Sequence, residues 1–392
     1  MTNHATMDHS FFGRRNGAID MLRGLTMFLM IFVNDLWTVG DVPRFLVHTA
    51  THEDGMGLAD IVFPMFLFAM GMSIPYAIER RFAQGIPGEK TLGHILSRTF
   101  ALLVMGVFSV NVDGLFELLA ILGFFLVWNA YPEGFTAGKW LRWAGIVLLV
   151  ALAVTFRTGR GGFLQARWWG ILGMIGWAYL FAAVAWLLCR KRPEAVSFLW
   201  LGLIGLNLVT TEMRDGSMLI EGGNIIQDFA RALNLGNGSS ALMAVGGMVV
   251  AIQDQSFSRE TTGRRILFFI LTLGMLTGVA ESVREEWIIS KNLGTLPWCL
   301  YTTAISTALY VLLQLLDKKG WTGWFAPFRP AGMATLTVYL IPDIYYAVAG
   351  LIGLHSPSWL VAPFGLLKCV AFAFLCIGTA WALGKAGIRI KI

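Results

Sequence analysis

Long apolar stretches recur along the whole chain, and they constrain its fold more than any other feature. A helix needs about 17 to 25 mostly apolar residues to cross the hydrocarbon core of a bilayer. With shorter stretches accepted where glycine or polar residues interrupt them, the sequence predicts twelve membrane helices, at residues 18–38, 58–79, 94–112, 114–131, 140–157, 168–189, 196–211, 238–254, 264–284, 297–316, 331–352 and 360–384. We therefore expect an all-α, polytopic integral membrane protein with a single transmembrane domain over residues 1–392.

Composition excludes the main soluble alternatives. Apolar residues make up 56% of the chain and charged residues only 14%, whereas a soluble domain carries about 25% charged residues. The net charge of +6 is explained by lysine and arginine in cytoplasmic loops, and no basic and aromatic residues alternate outside the apolar segments, so we expect no nucleic-acid partner. The four cysteines lie in apolar segments without metal-ligand spacing, and they predict no disulfide framework.

The distribution of lysine and arginine predicts the orientation. If the N-terminus is cytoplasmic, most of these residues fall in cytoplasmic segments, as the positive-inside rule requires. We therefore expect both termini in the cytoplasm and the protein in a bacterial inner membrane. Residues 1–17 form a cytoplasmic segment that lacks the apolar core and cleavage site of a removable signal peptide. The loop 157–169 breaks the rule with three arginines, so either it binds an anionic group or the helix assignment is wrong there.

The first predicted helix and the loop after it hold most of the groups that can do chemistry. The helix contains four polar residues that need partners or a function: Asp20, Arg23, Asn34 and Asp35. A charge at the bilayer centre costs about 2.5 to 3.5 kcal/mol even on permissive scales. The loop contains His48 and His52. Because histidine takes up and returns a proton near neutral pH, His48 is the first candidate for a general base.

Alternatives remain for these histidines. Both can be ordinary loop residues, and His52 competes with His48 for the role of base. If the loop were helical, the two rings would share a face, with Glu53 and Asp54 beside them, as in a metal site. Because the tract is short and lacks cysteine, we predict no metal.

Three further polar residues extend the candidate site. Asp60 stands at the start of an apolar run, where it either caps the helix or serves the site, and the two roles are compatible. On the predicted topology Lys291 and Asn292 lie on the same side of the membrane as the histidine loop. They either contact a substrate or extend to the membrane interface.

Several motifs together resemble one known family. They are ArgGlyLeuThr at 23–26, PheValAsn at 32–34, AlaAspIleValPhePro at 59–64, MetGlyMetSerIle at 70–74 and LysAsnLeuGlyThrLeu at 291–296. In nearly collinear order, these are similar to motifs of the heparan-alpha-glucosaminide N-acetyltransferase family. The IleAspMetLeuArgGly start also resembles the wider group of membrane acyltransferases that acylate sugars at oxygen.

The chain departs from the family pattern at several points. Gly294 stands where the family's Lys-Asn-Leu-Trp motif has tryptophan, and Ala334 stands where the family often has asparagine. The spacing from His48 to Asp60 is about two residues longer than usual in the family. The segments 168–189 and 196–211 are additional to a core of ten helices.

The resemblance implies an enzyme that moves acetyl from cytoplasmic acetyl-CoA to the amine of a glucosamine-type sugar outside the cytoplasm. His48 is the position matching the family's active histidine, as base or as acyl carrier, with Asn34, Asp35 and Asp60 to orient it. Substrate contacts are assigned to Lys291, Asn292, His52, Asp20 and Arg23. Contacts to the CoA phosphates are assigned to Arg14, Arg15, Arg98, Lys318 and Lys319.

A transporter or flippase of a sugar or glycan is the competing function, because intramembrane charges and interrupted helices also mark substrate pathways. Such proteins commonly contain two repeated halves, and the sequence shows none. A sugar O-acyltransferase is the alternative within the enzyme class. The acceptor and the oligomeric state, monomer or homodimer, stay open.

Overall fold

The structure, a computed structural model, describes residues 12, 16–157, 161–220, 225–354, 357 and 360–392. These residues form helices joined by loops, with three isolated β-bridges and no strand among them. The α-helices are α1 (Gly17–Asp35), α2 (Leu58–Ala83), α3 (Gly88–Ser109), α4 (Gly114–Trp128), α5 (Ala137–Thr155), α6 (Ile171–Cys189), α7 (Glu194–Thr210), α8 (Ile225–Ala232), α9 (Ser239–Ser256), α10 (Thr262–Val283), α11 (Leu296–Lys318), α12 (Arg329–Met333), α13 (Thr335–Leu351) and α14 (Phe364–Lys385).

Each of the twelve predicted segments overlaps a helix, but the number of membrane spans is lower. Within the described residues, eight helices are long and apolar enough to cross a membrane. A bent pair, Gly323–Met333 and Thr335–Leu351, makes a ninth span if it is counted as one. The apolar helices α4 and α7 have only 15 and 17 residues. The all-helical integral membrane class therefore holds, whereas the count of twelve spans is not confirmed.

The chain divides into two compact units. The first unit comprises Met1–Leu22, Arg44–Leu96 and Trp177–Thr322. Its centre is the contact between α2 and α9, where two glycines let the helix backbones meet. A Cβ atom on Gly71 would lie 1.8 Å from the Ala244 carbonyl oxygen, and one on Gly247 would lie 2.1 Å from the Phe68 carbonyl oxygen. Only glycine permits so close an approach of two helices.

The second unit comprises Arg23–Pro43, Ser97–Gly176 and Gly323–Ile392. Asp35 is fully buried in it, and its two carboxylate oxygens lie 2.7 and 2.8 Å from the Lys368 ammonium. The Tyr346 hydroxyl donates to the same carboxylate at 2.7 Å. This cluster joins α1, α13 and α14, and it offsets the cost of placing both charges inside the unit. Asp35, proposed from the sequence to orient His48, is thus bonded to Lys368 and Tyr346 in the second unit.

Candidate active site

Asp60 organises the loop between α1 and α2. It occupies the third position of α2, and its side chain is 1% exposed. Its Oδ2 atom accepts hydrogen bonds from the backbone N–H groups of Gly57 and Thr49, both at 3.0 Å, and from the Thr49 hydroxyl at 3.2 Å. Asp60 therefore caps α2 and at the same time closes the loop against the helix start.

The second oxygen of Asp60 holds His48. The distance from His48 Nδ1 to Asp60 Oδ1 is 2.6 Å. Because a buried carboxylate can only accept, the ring proton resides on Nδ1, and Nε2 of the neutral ring carries a lone pair. The His48 side chain is 51% exposed, so that nitrogen can be reached from outside. The geometry allows the ring to act as a base or as a nucleophile.

Lys291 completes this group from a distant part of the sequence. Its Nζ atom lies 3.2 Å from Nδ1 and 3.3 Å from Nε2 of His48. A point equidistant from the two nitrogens is not on the lone-pair direction of either, so Lys291 leaves Nε2 accessible. Burial lowers the pKa of Lys291 below its ordinary value of 10.5, and the Asp60 charge opposes part of that shift. His48, Asp60 and Lys291 are the candidates for the catalytic groups, and we call them the catalytic cluster.

The histidine loop is bonded directly to the segment that carries Lys291. The Ser290 hydroxyl donates to the Thr51 carbonyl at 2.7 Å, and the Asn292 amide donates to the Thr51 hydroxyl at 3.2 Å. The Gly55 N–H donates to the Ile289 carbonyl at 3.0 Å. These bonds explain how residues separated by more than two hundred positions come together. They also place Asn292 next to the histidine loop.

Asp54 forms a second connection that the sequence analysis did not identify. Its carboxylate accepts from the Ile289 N–H at 2.9 Å, from Arg214 at 3.1 Å and from Arg284 at 3.3 Å. Partial burial raises the pKa of Asp54, but the bonds from Ile289 and Arg284 outweigh it, and the net pKa is lowered. The sequence shows these oppositely charged residues, but it does not indicate that Asp54 pairs with Arg214 and Arg284.

Three further candidates from the sequence are His52, Asn34 and Arg23. His52 is exposed, and no described residue bonds to its side chain. Asn34 is exposed at the end of α1, and Arg23 donates to the Thr335 hydroxyl at 3.3 Å within the second unit.

Asp20 lies at the far end of the first unit. Gly17, one turn before it, packs against Asp317 at the end of α11, whereas Lys291 precedes the start of that helix. The two ends of α11 are about 30 Å apart, so Asp20 is not brought to His48.

The proposed CoA contacts are only partly described. Arg14 and Arg15 lie outside the described residues. Lys318 and Lys319 are exposed at the end of α11, and the Lys319 ammonium lies 4.9 Å from the centre of the Trp321 ring. Arg98 is partly buried in α3, in the second unit.

A buried polar network that the sequence analysis missed lies at the same end of the first unit as Asp20. Asp254 and Arg265 form an ion pair inside the unit, both less than 10% exposed. The Tyr310 hydroxyl donates to Asp254 at 2.9 Å, and the Gln314 amide donates to both carboxylate oxygens at 3.1 Å. The Asn16 amide donates to the Tyr310 hydroxyl at 3.0 Å. These bonds lock together the ends of α9, α10 and α11.

The described residues contain no group of three or more histidine, cysteine, aspartate or glutamate side chains that could hold a metal ion. The His48-to-Asp54 tract is not helical, so its two histidines do not share a helix face as a metal site there would require.

Comparison with known proteins connects this geometry to a family. A sequence model described as "Heparan-alpha-glucosaminide N-acetyltransferase, catalytic" matches residues 15–112, which include His48 and Asp60. The mouse (Mus musculus) heparan-alpha-glucosaminide N-acetyltransferase is 28% identical over 371 residues, covering 82% of this chain and 52% of the mouse protein. The human (Homo sapiens) protein of the same name is 34% identical over 94 residues, covering 24% of this chain and 13% of the human protein.

This chain spans about half the length of the mouse relative, and its match to the human relative is confined to a shorter segment. The family match covers the histidine loop and its flanking helices, and the longer alignment extends it over most of the chain. The resemblance drawn from the motifs is thereby confirmed: residues 15–112 match the catalytic model of this family, and most of the chain is similar to the mouse protein.

Proposed function

We propose that this protein transfers an acetyl group from acetyl-CoA to the amine of a glucosamine-type sugar, with His48 as the residue that handles the proton. The observation that carries the proposal is the bond between the exposed His48 ring and the buried Asp60 carboxylate. It lies inside the segment that matches an acetyltransferase family. Lys291, beside the ring, supplies the positive charge that an acyl transfer needs.

The chemistry follows from the position of each group. A thioester is already activated, so the protein must hold the amine near the acetyl carbon, remove its proton and stabilise the tetrahedral oxyanion. The amine nitrogen bonds to the carbonyl carbon while His48 Nε2 takes the proton. The Asp60 carboxylate stabilises the resulting imidazolium. When the carbon–sulfur bond breaks, the same proton passes to the departing CoA thiolate.

The oxyanion needs a donor on the same side of the ring. The Lys291 ammonium lies 3.2 Å from His48 Nδ1, and its charge is worth more in this partly buried position than in water. Asn292, bonded to Thr51, offers an amide for a sugar hydroxyl. A two-step route through an acetylated His48 uses the same Nε2 lone pair and the same oxyanion donor.

The proposed sidedness rests on the charge distribution of the loops. The histidine loop and Lys291 precede α2 and α11, on the side that the positive-inside rule assigns to the exterior. Lys318 and Lys319 lie at the opposite end of α11 and are proposed, with Arg14 and Arg15, to contact the CoA phosphates from the cytoplasm. Arg98, in the second unit, is a separate candidate for such a contact. The acceptor then binds outside a bacterial inner membrane.

The proposal is tested by CoA release from the purified full chain in detergent. With acetyl-CoA present, glucosamine should stimulate release, whereas N-acetylglucosamine and glucose should not, because they lack the amine. Equal stimulation by all three sugars would move the activity to oxygen acylation. No release with any acceptor, combined with sugar uptake into proteoliposomes, would overturn the enzyme proposal in favour of transport.

A further inference from the structure

Lys291 owes its position to the tight turn formed by residues 290–294, which we call the lysine turn. Its backbone closes on itself through the Gly294 N–H, which donates to the Lys291 carbonyl at 3.0 Å, and the Thr295 N–H, which donates to the Ser290 carbonyl at 3.1 Å. The turn is therefore a compact unit. Whatever holds its outer carbonyl groups also fixes Lys291 relative to His48.

Two asparagines from other elements hold those carbonyl groups. The Asn237 amide donates to the Leu293 carbonyl at 2.7 Å and to the Gly294 carbonyl at 3.3 Å. The Asn207 amide, from α7, donates to the Gly294 carbonyl at 2.9 Å. Asn207 also donates to the Asn237 carbonyl at 3.0 Å, so the two asparagines are linked. We call this pair the amide clamp.

The clamp is anchored on the side away from the turn. The Asn237 side-chain oxygen accepts from the Ser239 N–H at 3.2 Å, at the start of α9. Asn207 lies near the end of α7, and it is completely buried. The lysine turn is thus tied to two helices, α7 and α9, that pack against each other.

Gly294 is the residue that makes room for the clamp. Its φ angle is +64°, in the left-handed region that favours glycine. A Cβ atom there would lie 2.5 Å from the Asn237 amide nitrogen. The Asn237 side chain occupies the space beside this position, which is where the family motif has tryptophan.

The orientation of Asn207 is fixed by its partners. Two carbonyl oxygens face its amide group, so the nitrogen must point toward them. Its side-chain oxygen then has no partner among the described residues. A buried acceptor without a partner is destabilising. An alanine at this position would remove that cost together with the two bonds, so the fold should tolerate the change.

We propose that Asn207 and Asn237 are positioning residues for the acetyl transfer, because they hold the carbonyl groups of the lysine turn and thereby fix the Lys291 ammonium beside His48. The catalytic half of this inference rests on the proposed function. The structural half states that the clamp determines the surroundings of Lys291, and it is independent of the proposed function.

The two halves call for two measurements on the full chain in detergent. The first is kcat and KM for acetyl transfer in Asn207→Ala and Asn237→Ala. We expect kcat to fall about 10- to 100-fold, because a small misplacement of a catalytic group has effects of that size, while KM for acetyl-CoA stays within about twofold.

The second measurement is the pH dependence of Lys291 modification by an amine-specific acylating reagent, followed by mass spectrometry. Because burial lowers the pKa of Lys291, a loosened turn that exposes the ammonium to water should move the labelling midpoint to higher pH.

Asn16→Ala is the matched control. It also removes an amide that donates two hydrogen bonds inside the first unit, to the hydroxyls of Tyr76 and Tyr310, but at the end opposite Lys291. We expect it to leave the Lys291 labelling midpoint unchanged. Should Asn237→Ala fail to give folded protein, Asn237→Ser, which retains a shorter donor, is measured instead.

An unchanged labelling midpoint in folded clamp variants would overturn the inference, and so would a shifted midpoint with unchanged kcat. If the wild type released no CoA at all, the proposed function would fail, but the labelling experiment would still decide whether the clamp fixes Lys291. The two failures are therefore distinguishable.

Discussion

At the scale of single residues, Asp60 caps a helix and at the same time holds the His48 ring. One carboxylate oxygen receives three hydrogen bonds that cap α2 and close the loop, and the other receives the His48 ring. The position of Asp60 at the start of an apolar run predicted the capping role, and a site role was proposed beside it. The sequence alone could not show that one carboxylate performs them together with separate oxygens.

Replacing Asp60 with asparagine should separate these roles. An asparagine oxygen can still accept the capping bonds, but its NH₂ group then faces His48 and donates to Nδ1, which places the ring proton on Nε2. We expect acetyl transfer to fall about 10²- to 10⁴-fold, the contribution of a general base, with a loss of about 1 kcal/mol or less in the free energy of unfolding. Initial rates and thermal unfolding measure the two effects. Equal activity of Asp60→Asn and wild type would contradict the assigned tautomer.

Lys291 gives a prediction about pH. Its pKa is lowered by burial, so the ammonium loses its proton as pH rises through a value below 10.5. If the ammonium stabilises the oxyanion, the rate must fall on that basic limb. Arginine stays protonated over the accessible range, so Lys291→Arg should lower the maximal rate but remove the limb. A rate–pH profile of kcat for both proteins measures this, and an identical basic limb in Lys291→Arg would assign the limb to another group.

At the scale of helices, the apolar pattern located each segment but did not reveal how the helices pack. The contact of α2 with α9 depends on Gly71 and Gly247, which face the partner backbone. In the sequence these two are indistinguishable from other glycines of apolar segments, because periodicity does not show which face meets a partner. The short helices α4 and α7 likewise read as membrane spans, although their lengths fall at or below the usual limit.

The packing predicts a contrast between two glycine-to-alanine changes. In Gly71→Ala the added methyl group would lie 1.8 Å from the Ala244 carbonyl oxygen, so α2 and α9 must separate, at a cost of about 1 to 3 kcal/mol or more. In Gly278→Ala, in α10, no atom lies within 4 Å of the new Cβ, and the higher helix propensity of alanine is neutral or favourable. Thermal unfolding in detergent should show a lower midpoint for Gly71→Ala only. Equal midpoints would mean that α2 and α9 do not pack this closely.

At the scale of the whole molecule, the sequence predicted the class of protein and named His48, Asp60 and Lys291 as candidates, but it did not predict the contact between Lys291 and His48. The His48 and Asp60 pair follows from a local loop that precedes a helix, and the family motifs strengthened it. Lys291 is separated from His48 by 243 positions, and its contact with the ring depends on the Thr51, Asp54 and Ser290 bonds between the two loops. No local pattern encodes those bonds. The amide clamp was hidden for the same reason, since Asn207 and Asn237 stand alone in sequences without a motif.

The long-range contacts also separate candidates that the sequence grouped together. Asp20 and the catalytic cluster lie at opposite ends of the first unit. The Asp35 carboxylate is bonded to Lys368 and Tyr346 in the second unit. A charged side chain in a membrane helix requires a partner, but the sequence pattern does not indicate whether that partner is a substrate or a residue of another helix.

The central claim is that His48, and not its neighbour His52, handles the proton of the transfer. The most direct measurement compares His48→Ala with His52→Ala by CoA release from acetyl-CoA in the presence of glucosamine. His48 is bonded to a buried carboxylate, whereas His52 is exposed and unbonded among the described residues. We expect His48→Ala to lose about 10²- to 10⁴-fold in rate and His52→Ala to stay within about twofold of wild type. A full rate in His48→Ala, or a loss confined to His52→Ala, would contradict the account.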